Sequence, residues 1–279
     1  MYEQEGILSA VGRTPLVRLS RIGRENDIRV YAKLEFMNPG GSSKDRPGAA
    51  ILAEALRSGI IRPGSTVIES SSGNMAISLA QVCAYHGLGL IVVVDPKTTK
   101  QNLRIMQALN SRIEYVSEPI RIQGNFLTAR LKRVQELLTE VKDSYWPNQY
   151  ANTQNALVHY NTTMKEIVEL LPQIDYLFCG VSTCGTLNGC ARYVKDYGMR
   201  TKLIAVDAAG SAIFGGPPSK RLLPGLGAVI TPELCPKELV EEVVYVSDIE
   251  SIQGCRKLVR KKRFSREVPP EEFSRRSRS

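Results

Sequence analysis

The chain lacks any run of about 18 or more apolar residues, the length a helix needs to cross a bilayer. Its first residues, MYEQEGILSAVGRTPLVRL, do not join a charged start to an apolar run either. A cytoplasmic protein with no membrane partner is therefore expected. The six cysteines (Cys83, Cys179, Cys184, Cys190, Cys235 and Cys255) include no C-x-x-C pair, and histidine is nearly absent, at His86 and His159 alone. That leaves a zinc site poorly supported and no metal expected; reduced, mostly buried thiols are the simpler reading. Neither G-x-x-x-x-G-K-[ST] nor G-x-G-x-x-G occurs. The first absence removes a Walker loop, and the second weakens a dinucleotide site.

Charge is present but badly spread for a nucleic-acid surface. The formal net charge is +9, yet residues 261–279 hold seven Lys and Arg against three Glu, which leaves the remaining chain at +5. The body is only mildly basic, and no nucleic-acid partner is expected. At 279 residues and 30.9 kDa the chain is long enough for one large domain or two medium lobes.

Short β-branched runs alternate with longer helix-like segments: VYAKLE, STVIES, LIVVVD, RIEYV, DYLFCG, KLIAVDA and EVVYVSD. This alternation predicts an α/β protein with a parallel sheet. Helices are expected over 45–58, 74–87, 124–142, 154–171 and 185–198, each opening near a Ser, Thr, Asn or Gly that can cap it. Strands that run into Gly/Ser-rich loops and then helices are where open α/β sheets bind ligands.

Three loops have that form. NPGGSSKDRPG puts Lys44 at a helix start, where N–H groups and the positive helix end favour a neutral, nucleophilic amine. A Schiff-base lysine, a phosphate-gripping lysine and a plain surface lysine all remain open for this loop alone. ESSSGNMA places Ser71, Ser72 and Asn74 at a second helix start; they suit a carboxylate, or merely cap the helix. In CGVSTCGTLNG, small residues from Gly180 to Thr186 let successive N–H groups approach an anion, a phosphate cup. A reactive lysine, carboxylate donors and a phosphate cup together suit pyridoxal 5'-phosphate holding an amino acid.

GRTPLVRL, NPGGSSKDR, SSGN, QYAN and STCGT occur in that order, and in this the chain resembles the fold-type II pyridoxal-phosphate enzymes of the cysteine synthase family from residue 1 to about 260. Within them it is most similar to the N-(2-amino-2-carboxyethyl)-L-glutamate synthases of 2,3-diaminopropionate and siderophore biosynthesis, through NPGGSSKDRPG, ESSSGN, YWPNQYAN and SAIFGG…LPGLGA. The resemblance implies a two-lobed parallel-sheet fold of the tryptophan synthase β type. Residues 1–44 and 151–260 would form a larger cofactor-binding lobe, 45–150 a smaller lobe with the substrate loop, and a homodimer is expected. It further implies that Lys44 is the covalent cofactor anchor and proton carrier, and that Asn74 bonds the cofactor ring hydroxyl. Gly180, Val181, Ser182, Thr183, Cys184, Gly185 and Thr186 would hold the phosphate, and Ser71, Ser72 and Gln149 the substrate carboxylate. Arg130, with Lys132 and Arg133 on the same predicted helix, is a candidate for substrate anions or a solvated face.

The implied reaction is β-replacement on O-phospho-L-serine by the amine of L-glutamate. Cysteine synthase, with sulfide as nucleophile, is the alternative, and an inactive remnant of the fold is a third reading. One departure is that Asn74 is followed by Met75 and Ala76, where cysteine synthases usually carry S-G-N-T-G. A second is the ending, KKRFSREVPPEEFSRRSRS. Back-translated with permitted synonymous codons and read from the third base of Lys261, it gives KAILAGGSSGGVLSAVEI, which resembles the family's own continuation. Residues 261–279 are therefore expected to be a disordered, out-of-frame tail, with the C-terminal part of the fold incomplete and apolar surface exposed.

Overall fold

The computed structural model describes residues 6–22, 26–119, 126–217 and 219–261. In chain order the main elements are β1 (Leu16–Arg18), β2 (Tyr31–Lys33), α1 (Asp45–Arg57), β3 (Thr66–Ser70), α2 (Asn74–His86), β4 (Gly89–Val94), α3 (Lys100–Ala108), β5 (Arg112–Tyr115), α4 (Phe126–Glu140) and β6 (Ser144–Tyr145). They continue with α5 (Gln154–Val158), a π turn at His159–Met164, α6 (Lys165–Leu170), β7 (Tyr176–Gly180), α7 (Gly185–Asp196), β8 (Lys202–Ala208), β9 (Glu242–Val246) and α8 (Asp248–Lys261). This is the α/β architecture with parallel sheets that the alternation of runs predicts.

Two parallel sheets carry it. One has the order β5-β4-β3-β6, the other β7-β8-β9. In the first sheet the strands read both ways because both faces are covered. Val67, Leu90, Val92 and Val94 pack with Ile51, Leu52, Met75, Leu79 and Met106 of α1, α2 and α3, whereas Ile68, Ile91 and Val93 meet Val134 and Leu137 of α4. In the second sheet Cys179, Leu203 and Ala205 form one core with Leu187, Cys190, Ala191 and Val194 of α7. Tyr176 and Phe178 on β7, an edge strand among the described residues, are 56% and 63% exposed.

VYAKLE is not part of either parallel sheet. Its strand β2 pairs antiparallel with β1, Leu16 opposite Lys33. The predicted helix over 154–171 is formed by α5, the π turn and α6, which follow one another without a gap from Gln154 to Leu170. There α7 comes very close: a Cβ at Gly189 would stand 2.2 Å from the Ala156 carbonyl and 2.7 Å from Tyr160 N, so only glycine permits this approach. No helix among the described residues is long and apolar enough to cross a membrane. Of the residues expected to form the tail, 261–279, Lys261 instead ends α8, and 262–279 lie outside the described residues.

Candidate active site

Lys44 stands at the head of α1, in the capping position. Its loop is built from local polar bonds. Asn38 Oδ1 accepts from the Gly12 N–H at 2.8 Å, and the Gly40 N–H donates to Asp45 Oδ2 at 2.6 Å. Gly41 turns the chain at φ 83°, where a side chain would be strained. Burial pushes the Lys44 ammonium down from its ordinary value, and Cys184 of the third loop opposes this. The sequence pointed to the helix end as the cause of a reactive amine; loss of water is the larger one.

Two residues on, Arg46 is 1% exposed and fixes the start of α1. Its guanidinium donates to both oxygens of Glu35 (2.8 and 2.9 Å) and both of Glu166 (2.7 and 2.8 Å), bidentate geometry that suits a planar fork. Lys33 Nζ adds a 2.6 Å bond to Glu166. The network ties the N-terminal ribbon, α1 and α6 together. It was not read from the sequence, because its members lie up to 133 residues apart.

In the second loop Ser71 Oγ accepts from the N–H groups of Gly73 (3.4 Å) and Ala76 (3.2 Å), so this serine does serve the first turn of α2. Ser72 is pinned through its carbonyl, which accepts from Asn102 Nδ2 of α3 at 2.9 Å. Asn74, the first residue of α2, is exposed, and its side chain bonds no described residue. Gln149 is buried and reaches this loop directly: its Nε2 donates to the Ser70 carbonyl at 3.4 Å.

The third loop leaves β7 and enters α7. Cys184 takes a left-handed conformation, φ 64°, and the N–H groups of Ser182, Thr183, Cys184, Gly185 and Thr186 find no acceptor among the described residues. Val181 differs: its N–H is spent on the Val206 carbonyl. Such a nest of unspent donors at a helix start is an anion site. Asn155 braces it, with Nδ2 donating to Thr183 Oγ1 at 3.2 Å and to the Gln149 carbonyl at 2.7 Å. Thr186 Oγ1 bonds His159 Nε2 at 3.2 Å, and His159 Nδ1 bonds Thr163 at 2.8 Å. Burial, with Lys44 and Arg46 adding to it, pushes His159 down to about 3, so the imidazole is neutral at ordinary pH. The chain Ser70–Gln149–Asn155–Thr183 thus joins the second and third loops, and the charge coupling of Lys44 to Cys184 brings in the first.

The three basic residues of α4 part company. Lys132 is exposed beside Glu136, and Arg133 is held by Glu114, Glu136 and Glu140. Arg130 is half-buried; its Nε stands 3.5 Å from Asp95 Oδ2, and neither Nε nor Nη1 makes a hydrogen bond. It acts electrostatically on Glu69 and Tyr150, next to the substrate loops.

A desolvated lysine at the head of α1, with a donor nest and a second loop carrying an unspent amide at the C-terminal ends of the parallel strands β7 and β3, defines an enzyme that binds a phosphorylated carbonyl cofactor. The chain matches the family model described as pyridoxal-phosphate dependent enzyme over residues 7–268, and it belongs to that family. It is similar to the solved O-acetylserine dependent cystathionine beta-synthase from Helicobacter pylori, at 32% identity, TM-score 0.84, over 94% of this chain and 85% of that one. A hydrogen sulfide-producing enzyme from Fusobacterium nucleatum aligns at 28% identity and TM-score 0.84, covering 92% and 86%. O-ureido-L-serine synthase aligns at 26% and TM-score 0.86, covering 92% and 80%. The protein is a pyridoxal-phosphate dependent enzyme, and the orphaned N–H groups of 182–186 with the half-buried Lys44 amine fit that cofactor's phosphate and aldehyde.

Proposed function

We propose that the enzyme carries out a β-replacement on O-phospho-L-serine, with L-glutamate as the amine nucleophile, giving N-(2-amino-2-carboxyethyl)-L-glutamate for 2,3-diaminopropionate and siderophore biosynthesis. Bound pyridoxal phosphate supplies the electron sink for charge developing at the substrate α-carbon. Lys44 anchors the cofactor and carries the α-proton on Nζ, helped by the desolvation that favours its neutral amine. Asn74 bonds the ring hydroxyl, and Gly180 to Thr186 hold the phosphate, Val181 by shape rather than by its N–H. Ser71, Ser72 and Gln149 grip the substrate carboxylate. Residues 1–44 and 151–260 serve as the larger lobe and 45–150 as the smaller, in a homodimer.

The observation that carries the choice of substrates is Arg130. A half-buried guanidinium with unspent donors, coupled electrostatically to Glu69 and Tyr150, suits an anionic group, either the leaving phosphate or a glutamate carboxylate. Cysteine synthase activity is the second reading, favoured by the sulfur chemistry named for two of the similar structures. Purified protein is incubated with the cofactor, O-phospho-L-serine or O-acetyl-L-serine, and L-glutamate or sulfide, and the products are identified by mass. The glutamate adduct, with at least tenfold loss in Arg130→Met, supports the first reading; cysteine as the sole product replaces it with the second. A colourless protein that takes up no cofactor leaves the inactive-remnant reading standing.

A further inference from the structure

We propose that Glu69 is a positioning residue whose carboxylate locks together the two loops that present Ser71, Ser72 and Gln149 to the substrate. The inference rests on reading those loops as the carboxylate grip. Glu69 is the penultimate residue of β3, with 0% exposure, yet it faces no ion-pair partner at bonding distance among the described residues. Instead three neutral donors converge on it. Oε1 accepts from the Ser70 N–H at 2.8 Å and from Trp146 Nε1 at 3.3 Å, and Oε2 accepts from the Gln149 N–H at 3.3 Å. Ser70 opens the loop of Ser71 and Ser72, whereas Trp146 and Gln149 belong to the segment after β6. Asn148, at φ 45°, takes a left-handed conformation that few side chains adopt, and the next residue is the one whose N–H meets Glu69.

A group kept only for packing would be apolar here, because burying a carboxyl is unfavourable. An acceptor with two oxygens is what three donors from two loops require. An amide of the same shape cannot do this: with its oxygen on Ser70 and Trp146, its NH2 would point at the Gln149 N–H, donor against donor. The charged and titratable groups that act on Glu69 are Arg130 from α4, Tyr145 of β6 and Tyr150. Burial raises Glu69 to about 7 against the pull of its donors and Arg130, and both tyrosines are themselves pushed up by burial and stay neutral there. Near neutrality the lock is therefore sensitive to pH, loosening as protonation turns one oxygen into a donor.

Trp146 is the only tryptophan in the chain, so its emission reports on Glu69 with no other indole in the way. The full chain is titrated from about pH 6 to about pH 8 without cofactor, and steady-state kinetics with O-phospho-L-serine are then measured on the loaded enzyme, for wild type, Glu69→Gln, Glu69→Asp and Ser71→Ala. The expected result is a wild-type emission transition with a midpoint of about 7 that is absent in Glu69→Gln. With it should come a KM for O-phospho-L-serine raised about tenfold, the loss of roughly one buried bond, while kcat changes less. Should Glu69→Gln fail to fold by circular dichroism, the wild-type transition and the KM of Glu69→Asp decide. A flat wild-type emission curve, or a KM unchanged in the Glu69 variants while Ser71→Ala raises it, overturns the role of Glu69 alone. A KM unchanged in Ser71→Ala overturns the reading of the loops themselves.

Discussion

Replacing Arg46 by Met keeps most of the stem and removes a guanidinium that makes four bonds to two carboxylates, plus one each to Thr162 (2.9 Å) and Thr14 (3.2 Å). The side chains left behind, Glu35 and Glu166, are 18% and 17% exposed. Removing one partner of a buried ion pair costs roughly 3–5 kcal/mol. The low end applies here, about 3 kcal/mol, because Lys33 stays on Glu166 and both carboxylates retain some water. With a urea slope of roughly 3 kcal/mol/M, the unfolding midpoint should fall by about 1 M. The acid limb gives an independent check. Burial raises both carboxyls, but bonds from Arg46 outweigh it, with Thr14 helping at Glu35 and Lys33 at Glu166, so Glu35 lies below its usual 4.5 and Glu166 at about 2. Depressed carboxyls contribute stability above the unfolded value, and that contribution disappears as pH falls from about 4.5 to about 2. Wild type should therefore lose more stability across this window than Arg46→Met. Equal midpoints, or parallel acid profiles, would refute the account of the network as an anchor for α1 and its lysine.

Three further outcomes are expected. Lys44→Ala should abolish the visible absorption of the cofactor-loaded protein and its trapping by borohydride; a band that survives assigns the anchor to another lysine. Gly189→Ala forces a Cβ to within 2.2 Å of backbone and should destabilise by about 1–3 kcal/mol or more, lowering Tm by about 5 °C, by calorimetry. His159, held neutral down to about 3 against an ordinary 6.5, binds its proton only on unfolding. The stability that His159 contributes should thus be lost as pH falls below about 6.5, so the gap between wild type and His159→Asn should change in that direction, compared by urea unfolding at several pH values.

Most of the fold was legible because strand and helix signals are local. LIVVVD, KLIAVDA and EVVYVSD became β4, β8 and β9, and the helix starts at 45, 74 and 185 matched α1, α2 and α7 to the residue. Two things broke the pattern. VYAKLE has the composition of a parallel strand, but its partner β1 lies close by in sequence and pairs antiparallel. The helix α3 was missed because Lys100–Ala108 is short and follows no Gly/Ser loop of the kind that marked the others; its cap is Thr99, which accepts from the Asn102 N–H at 3.2 Å.

The site divides along the same line. Lys44, Ser71 and the 182–186 donors could be picked out as candidates because the chemistry proposed for them depends on the loop that carries them. Arg130 and Arg133 were indistinguishable in sequence, three residues apart on one helix. What separates them is the far side of the contact: Arg133 meets Glu114, Glu136 and Glu140, whereas Arg130 turns toward Asp95 and keeps two nitrogens unspent. The braces are less visible still. Glu69 and Gln149 are 80 residues apart, and Asn155 and Thr183 are 28 apart, so nothing in either neighbourhood betrays the pairing. A loop motif can therefore mark candidate ligand-binding atoms while leaving silent the buried carboxylate and amide that bond to the loops carrying them. For this chain the difference has a measurable form, since Ser71 belongs to the first group and Glu69 to the second. Only substitutions of the second kind should alter the Trp146 emission titration before any substrate is added.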